Sequence, residues 1–319
     1  MAICLVTGGA GFIGSSLAEA LLKNGETVRI IDDFSSGLRA NVESLPGKVE
    51  VLEGDTGDTE LLGRLMRGVE VVFHEAAIPS VALSIENPAA TMRVGVQGVA
   101  AVLDCARHAG VKRVIFAASS AAYGDTATMP LVETMAPRPL SPYAISKITG
   151  EQLLRVFSSL YQIETLSLRY FNVFGPRQDP KSEYAAVIPK FITAAIRGQK
   201  PTVFGDGEQT RDFCFIDDTV NANLLAATTS QKLSGEVVNI GRGECVSLNR
   251  LLQEINEEAV ALGVRDKNKP FDANYADERA GDVRHSRANI DAARALIGYE
   301  PRVTLREGIR KTMTALKNR

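Results

Sequence analysis

The strongest constraint on this 319-residue chain is a regular alternation in its first half. Six near-continuous apolar runs occur there: ICLVTG (3–8), TVRIID (27–32), KVEVLEGD (48–55), VEVVFHEAA (69–77), KRVIFAASS (112–120) and IETLSLRYF (163–171). Segments of helical periodicity separate most of them, at 12–24, 58–67, 86–109 and 143–161. Strands that are apolar on both faces need cover on both, and helices between successive strands supply it. The pattern predicts an α/β chain with a doubly wound parallel sheet and right-handed crossovers. Beyond residue 172 the strands are short (202–204, 213–216, 237–240), with helical patterns near 184–198, 217–228, 247–262 and 288–297. This predicts one domain over 1–171 and a smaller, mixed α/β substrate domain over 172–319. Segments near 213–241 are expected to return to the sheet's far edge.

TGGAGFIG (Thr7 to Gly14) closes the first strand and opens the first helix. Gly8, Gly11 and Gly14 permit a tight turn, close approach of a diphosphate, and close strand–helix packing. The helix start, with Phe12 and Ile13, presents N–H groups to the phosphates. Asp32 ends the second strand, where a carboxylate accepts bonds from a ribose diol and repels a 2′-phosphate. Asp33 is placed to share that role. Asp55 suits the adenine edge, and Ala76 and Ala77 of HEAA suit the floor beneath a dinucleotide. Both stretches read equally well as strand ends with turn chemistry.

YAISK (Tyr143 to Lys147) begins a helix after the Pro-rich PRPLSP. Positions i and i+4 share a helical face, so phenol and ammonium face one cleft. A neighbouring ammonium favours the phenolate, which predicts a lowered Tyr143 pKa and a base for a sugar or alcohol hydroxyl.

TGGAGFIG, Asp32, ASSAAYG, YAISK and RYFNVFG together resemble the extended short-chain dehydrogenases/reductases, of the NAD-dependent sugar-nucleotide epimerase/dehydratase type. The likeness covers essentially the whole chain. It implies a Rossmann-type sheet, NAD as cofactor, Ser119 and Tyr143 as catalytic residues, and Lys147 as the residue that orients the nicotinamide ribose. Ser120 stands beside Ser119 and is expected to touch the sugar. Relatives that eliminate water or carbon dioxide resemble T-D-E here or keep a Glu, and epimerase–reductases keep a Cys. Ser120 and Ala121 cannot serve as acid or base near neutral pH. Inversion at C4 of a UDP-hexose is the simplest remaining reaction.

The same resemblance implies a substrate set: Asn172 for the diphosphate, the backbone at Ala186 and Val187 for the uracil, Arg211 and Arg279 as diphosphate clamps, and Gln178 for a sugar hydroxyl or acyl group. Ser286 matches the position that limits the C2 pocket. A small residue there implies that UDP-GlcNAc and UDP-GalNAc fit, with UDP-Glc and UDP-Gal also possible. Two departures stand out: Gly95 replaces the pattern's usual Asn, leaving a water or Gln97 to substitute, and Pro79 replaces a Lys. A UDP-glucuronate or UDP-xylose 4-epimerase and a non-catalytic NAD or sugar-nucleotide sensor are the competing readings.

Net charge −2 and pI near 6.0 give no ground for nucleic-acid binding. No apolar run reaches spanning length, and MAICLVTGG enters a strand without a leader pattern, so a cytoplasmic enzyme or binding protein is expected. The four cysteines (Cys4, Cys105, Cys214, Cys245) lack pair spacing and read as reduced thiols, and the three histidines lack ligand spacing, so no metal is expected. Apolar residues on more than one side of the helices at 86–109 and 143–161 (Val99, Val102, Leu103; Leu153, Leu154, Val156, Leu160) suggest a four-helix homodimer contact.

Overall fold

The computed structural model describes residues 2–47, 49–179, 186–269, 271–278 and 283–318. The first half runs β1 (Ile3–Thr7), α1 (Phe12–Lys23), β2 (Thr27–Asp32), α2 (Arg39–Glu43), β3 (Glu50–Glu53), α3 (Thr59–Leu65), β4 (Val71–His74), α4 (Val81–Glu86), α5 (Pro88–Met92), a π turn (Arg93–Gly98), α6 (Val99–Ala109), β5 (Arg113–Ser119), α7 (Pro142–Tyr161) and β6 (Glu164–Tyr170). The second half adds β7 (Val173–Phe174), α8 (Val187–Arg197), β8 (Thr202–Phe204), β9 (Thr210–Arg211), β10 (Cys214–Phe215), α9 (Ile216–Thr228), β11 (Glu236–Ile240), β12 (Val246–Ser247), α10 (Leu248–Ala261), β13 (Asn274–Ala276), α11 (Asp291–Ile297) and α12 (Leu305–Lys317).

Seven strands form one parallel sheet in the order β11-β6-β5-β4-β1-β2-β3. Side chains alternate across a strand, so each strand feeds two cores. Cys4 and Val6 of β1, Phe73 of β4 and Ile115 of β5 bury on one face, with Leu17 and Leu21 of α1. Leu5, Val72, Val114 and Phe116 bury on the other, with Leu62 of α3, Val102 and Leu103 of α6, and Leu154 of α7. Residues 216–240 return to this sheet: β11 pairs with β6, and α9 packs on α1. Helices α8, α10 and α12 pack on one another beside the sheet. No helix among the described residues is long and apolar enough to cross a membrane.

The single helix expected over 86–109 is broken. Pro88 cannot continue a helix but suits a first turn, and Asn87 caps that turn by accepting from Ala90 N at 3.1 Å. The chain then widens into the π turn before α6 resumes. Helix α12 is an addition to the elements expected from the sequence. A capping box starts it, Thr304 and Glu307 each accepting from the other's backbone N–H. Its Ile309 and Met313 are fully buried at helical spacing.

Candidate active site

Strand order reverses at β1: the chain steps outward to β2 and β3, then returns to β4 on the other side. Carboxyl ends part at such a point and leave a crevice. A cleft of about 1120 Å³ opens there. Its lining includes Gly8, Gly11, Phe12, Ile13, Gly14, Asp32, Asp33, Asp55, Ala76, Ala77, Ser119, Ser120, Tyr143, Lys147, Asn172, Gln178, Ala186, Arg211 and Ser286. Residues spread over the whole sequence therefore face one space. Arg279 lies outside the described residues, and Val187 lines an adjoining cavity of about 530 Å³.

The glycine turn is shaped by what stands against it. A Cβ on Gly14 would lie 2.2 Å from Gly8 O, and one on Gly8, whose φ is +67°, would lie 2.7 Å from Ala76 N. Helix and turn therefore close on each other, and the β4 end closes on both. Thr7 ties them further: its hydroxyl accepts from Ala76 N at 3.2 Å and lies 2.7 Å from His74 Nδ1. Burial pushes the His74 pKa down to about 3, so the ring is neutral where it meets the Thr7 hydroxyl. Asp32, 7% exposed, accepts from Ala10 N and Phe34 N, each at 2.8 Å. Burial still holds its pKa above the usual carboxylate value, against those two bonds. Asp33 is turned to Ser35, and Asp55 is paired with Arg93 at 2.7 Å.

At the catalytic end, β5 delivers Ser119 and the first turns of α7 deliver Tyr143 and Lys147. Ser141 caps α7, accepting from Ala144 N at 3.2 Å, and Pro142 occupies the first helical position. Lys147 is 3% exposed and donates to Ala117 O at 2.6 Å, with its Nζ 5.8 Å from the Tyr143 ring centre. Burial lowers its pKa to about 8, with Glu75 and Glu151 opposing. The expected lowering of the Tyr143 pKa is not what this cleft produces. Burial raises it, the Ser119 hydroxyl works the other way, and Glu75 adds to the rise. Lys147 spends its short bond on the Ala117 carbonyl, and burial, the largest influence on the phenol, favours its protonated form.

One lining residue was passed over in the sequence. Glu75 lies between buried His74 and the small Ala76, and its Oε1 accepts from the Tyr170 hydroxyl at 2.9 Å. Burial lifts its pKa to about 7, against the Tyr170 bond and the Lys147 charge. A titratable acid thus lines the cleft from β4, although the Ser119 turn carries none. The signal was the charge itself, alone in the otherwise apolar VVFHEAA.

Towards the adjoining cavity, Asn172 donates to Asp212 O at 3.1 Å and Gln178 to Val173 O at 3.1 Å. The Gln178 Oε1 is buried without a protein partner among the described residues. Arg211 lines both spaces. Ser286, 7% exposed, is fixed by its N–H, which donates to Thr210 O at 3.1 Å.

The family model for the NAD dependent epimerase/dehydratase family matches residues 4–241. The chain belongs to that family. A putative UDP-glucose 4-epimerase of Methanocaldococcus jannaschii is 39% identical over 316 residues, covering 98% of each chain. The solved UDP-N-acetylglucosamine 4-epimerase of Methanobrevibacter ruminantium, in complex with UDP-N-acetylmuramic acid, is 36% identical with a TM-score of 0.91, covering 99% of this chain and 98% of that one. A Bacillus cereus UDP-glucuronic acid 4-epimerase, solved with UDP-glucuronic acid and NAD, is 32% identical with a TM-score of 0.90, covering 99% of each.

The family is NAD dependent, and the cleft fits that cofactor. Helix α1 opens on it without a side-chain cap, leaving first-turn N–H groups for a diphosphate. The face of Gly11 towards the cleft is open, since a Cβ there would approach only Gly8 O, at 3.1 Å. Asp32 stands at the end of β2, where the adenosine ribose of a dinucleotide held on that turn would come. The same cleft continues to Tyr143 and Lys147, which would meet the remaining half.

Proposed function

We propose that this protein inverts the configuration at C4 of a UDP-hexose and accepts N-acetylated sugars. The observation that carries the reading is the meeting of Ser119, Tyr143 and Lys147 in the cleft of the glycine turn, with Ser120 and Ala121 where eliminating relatives carry acids. Bound NAD supplies the acceptor and donor for the C4 hydrogen. The protein's part is proton transfer and placement. Tyr143 takes the C4 hydroxyl proton and later returns it, and Ser119 bonds that hydroxyl. Lys147, an ammonium below about pH 8, would hold the far ribose, and its charge would favour the Tyr143 phenolate, whose proton passes to solvent before the sugar hydroxyl is deprotonated. The 4-keto sugar turns about its diphosphate between the two transfers. Asn172 and Arg211 would hold that tether while the sugar moves.

The choice of sugar rests on Ser286, a small side chain in the lining that would leave space at C2. A homodimer through α6 and α7 is part of the same proposal. Val99, Val102, Leu103 and Leu154 are used in the core, but Val156 and Leu160 remain 49% and 65% exposed on α7.

The test is direct. Purified protein supplied with NAD⁺ and UDP-GlcNAc should form UDP-GalNAc, followed by NMR of the anomeric protons. No 4-epimer from UDP-GlcNAc, UDP-Glc or UDP-glucuronate would overturn the reaction class. Turnover of UDP-glucuronate alone would overturn the sugar assignment.

A further inference from the structure

Glu75 takes no part in the proton transfers above, yet it is fixed in the wall beside them. It lines the cleft with Tyr143, Lys147 and Tyr170. Tyr170 donates to it at 2.9 Å and accepts from Asn223 Nδ2 at 2.8 Å. Asn223 is fully buried on α9 and also donates to Thr219 O at 3.0 Å. With donor and acceptor both used, the phenol cannot rotate away, and three elements (β4, β6 and α9) hold the carboxyl in place. A side chain needed only to fill this site would be apolar, because a carboxyl there must be desolvated.

We propose that Glu75 is a positioning residue for the nicotinamide end of the cleft, whose carboxylate makes the protein bind the oxidised, cationic cofactor in preference to the reduced, neutral one. The reasoning is one of charge. Lys147 is a buried cation on the same cleft and disfavours a second positive charge. A carboxylate held on the same cleft, within electrostatic reach of Lys147, offsets that repulsion. In a reaction without net redox change, the cofactor must give back what it takes. A cleft that held only Lys147 would retain the cofactor in its reduced form. Glu75 restores the balance. This inference rests on the NAD-dependent reading and on the direction in which the dinucleotide lies, not on the identity of the sugar.

The balance depends on pH. Burial keeps Glu75 protonated up to about pH 7. The groups around it are Tyr143 and Lys147 on α7 with Glu151 one turn on, Tyr170 on β6 with Cys214 behind it, and neutral His74 beside it in the chain. Raising pH through 7 ionises Glu75 and adds a negative charge, so preference for the oxidised cofactor must rise. Lys147 loses its charge near pH 8 and adds a separate, later rise.

The experiment compares dissociation constants of NAD⁺ and NADH for the full chain, without sugar, from about pH 5.5 to about pH 9, which spans both groups. The wild-type ratio should move about tenfold towards NAD⁺ across the first step, the scale of one pKa unit of differential interaction. Glu75→Gln should erase that step and leave the later one, and Glu75→Asp should restore part of it. A Glu75→Gln protein with the wild-type ratio and pH profile would overturn the proposal. If Glu75→Gln does not fold, wild type decides alone: a ratio flat through pH 7 overturns it. Because no sugar is present, failure to epimerise any UDP-hexose leaves this result readable.

Discussion

Gly95 stands in the π turn at the point where the sequence pattern leads one to expect an Asn, and its neighbour gives a physical reason. A Cβ on Gly95 would lie 2.8 Å from both Cβ and Oγ of Ser146. Neither atom can yield easily. The Ser146 Cβ is fixed to the α7 backbone, and its Oγ donates to Tyr143 O at 2.8 Å. In an ordinary helix interior, glycine to alanine stabilises by about 1 kcal/mol. Here overpacking opposes that gain with about 1–3 kcal/mol. We expect Gly95→Ala to be destabilising by about 1 kcal/mol net, a fall in Tm on the order of 2 °C. Ser146→Gly alone costs about 0.5–1 kcal/mol of helix propensity. The double variant removes the clash, so the cycle should show favourable coupling of about 1–3 kcal/mol. Denaturant unfolding of the cofactor-free protein measures all four corners. Turnover gives a second readout, because strain at Ser146 enters the turn that carries Tyr143 and Lys147, and Gly95→Ala should lower kcat more than it raises KM. A stabilised Gly95→Ala, or strict additivity in the cycle, would refute the packing argument.

Tyr143→Phe should lower turnover by about 10²–10⁴-fold while leaving NAD affinity unchanged by calorimetry; near wild-type turnover would remove Tyr143 as the base. Ser286→Tyr should depress kcat/KM for UDP-GlcNAc at least tenfold more than for UDP-Glc, about 1–3 kcal/mol of pocket discrimination. Equal losses would mean that Ser286 does not border C2. Glu151→Gln unpairs buried Arg169, held at 2.7 Å, and should cost about 3–5 kcal/mol in denaturant unfolding. It also removes an anion that supports the Lys147 charge, whose pKa, already lowered to about 8, must fall further. The alkaline loss of activity should begin at lower pH than in wild type, and an unmoved alkaline limb would break the link between Glu151 and Lys147.

Much of this was legible in the sequence because it depends on short-range pattern. The six apolar runs fall on β1 to β6, and the helices expected at 12–24, 58–67 and 143–161 fall on α1, α3 and α7, because apolar periodicity reports burial on two faces. The glycine turn and the Tyr143–Lys147 spacing are local geometry. What was not legible depends on distance in sequence. Nothing near Gly95 announces that Ser146, some fifty residues on, fills its space. The direction of the Tyr143 shift is set by burial, with Ser119 and Glu75 distant in sequence acting on it from β5 and from the end of β4. Glu75 looked like turn chemistry because its meaning comes from Tyr170 and Asn223. Helix α12, by contrast, was signalled by T-x-x-E and by Ile309 and Met313 four apart, so missing it was a failure of reading rather than of information.

The catalytic end owes its charge pattern to two elements with different periods. Helix α7 repeats near four, so Tyr143, Lys147 and Glu151 fall on one buried face, a phenol, a cation and an anion one turn apart. Strand β6 repeats at two, so neighbours Arg169 and Tyr170 point to opposite faces of the sheet. Arg169 meets α7 and neutralises Glu151 through two bonds, at 2.8 and 2.7 Å. Tyr170 faces the other way and holds Glu75 in the cleft wall. Lys147 therefore lies between two carboxylates that the same strand fixes from its two sides. One carboxylate is paired with a guanidinium, and the other accepts from a phenol. A uniformly apolar strand would bury as much surface but would leave Glu151 without its cation and Glu75 without its donor. An uncompensated buried ammonium sheds its proton, and the role proposed for Lys147 beside Tyr143 needs that charge.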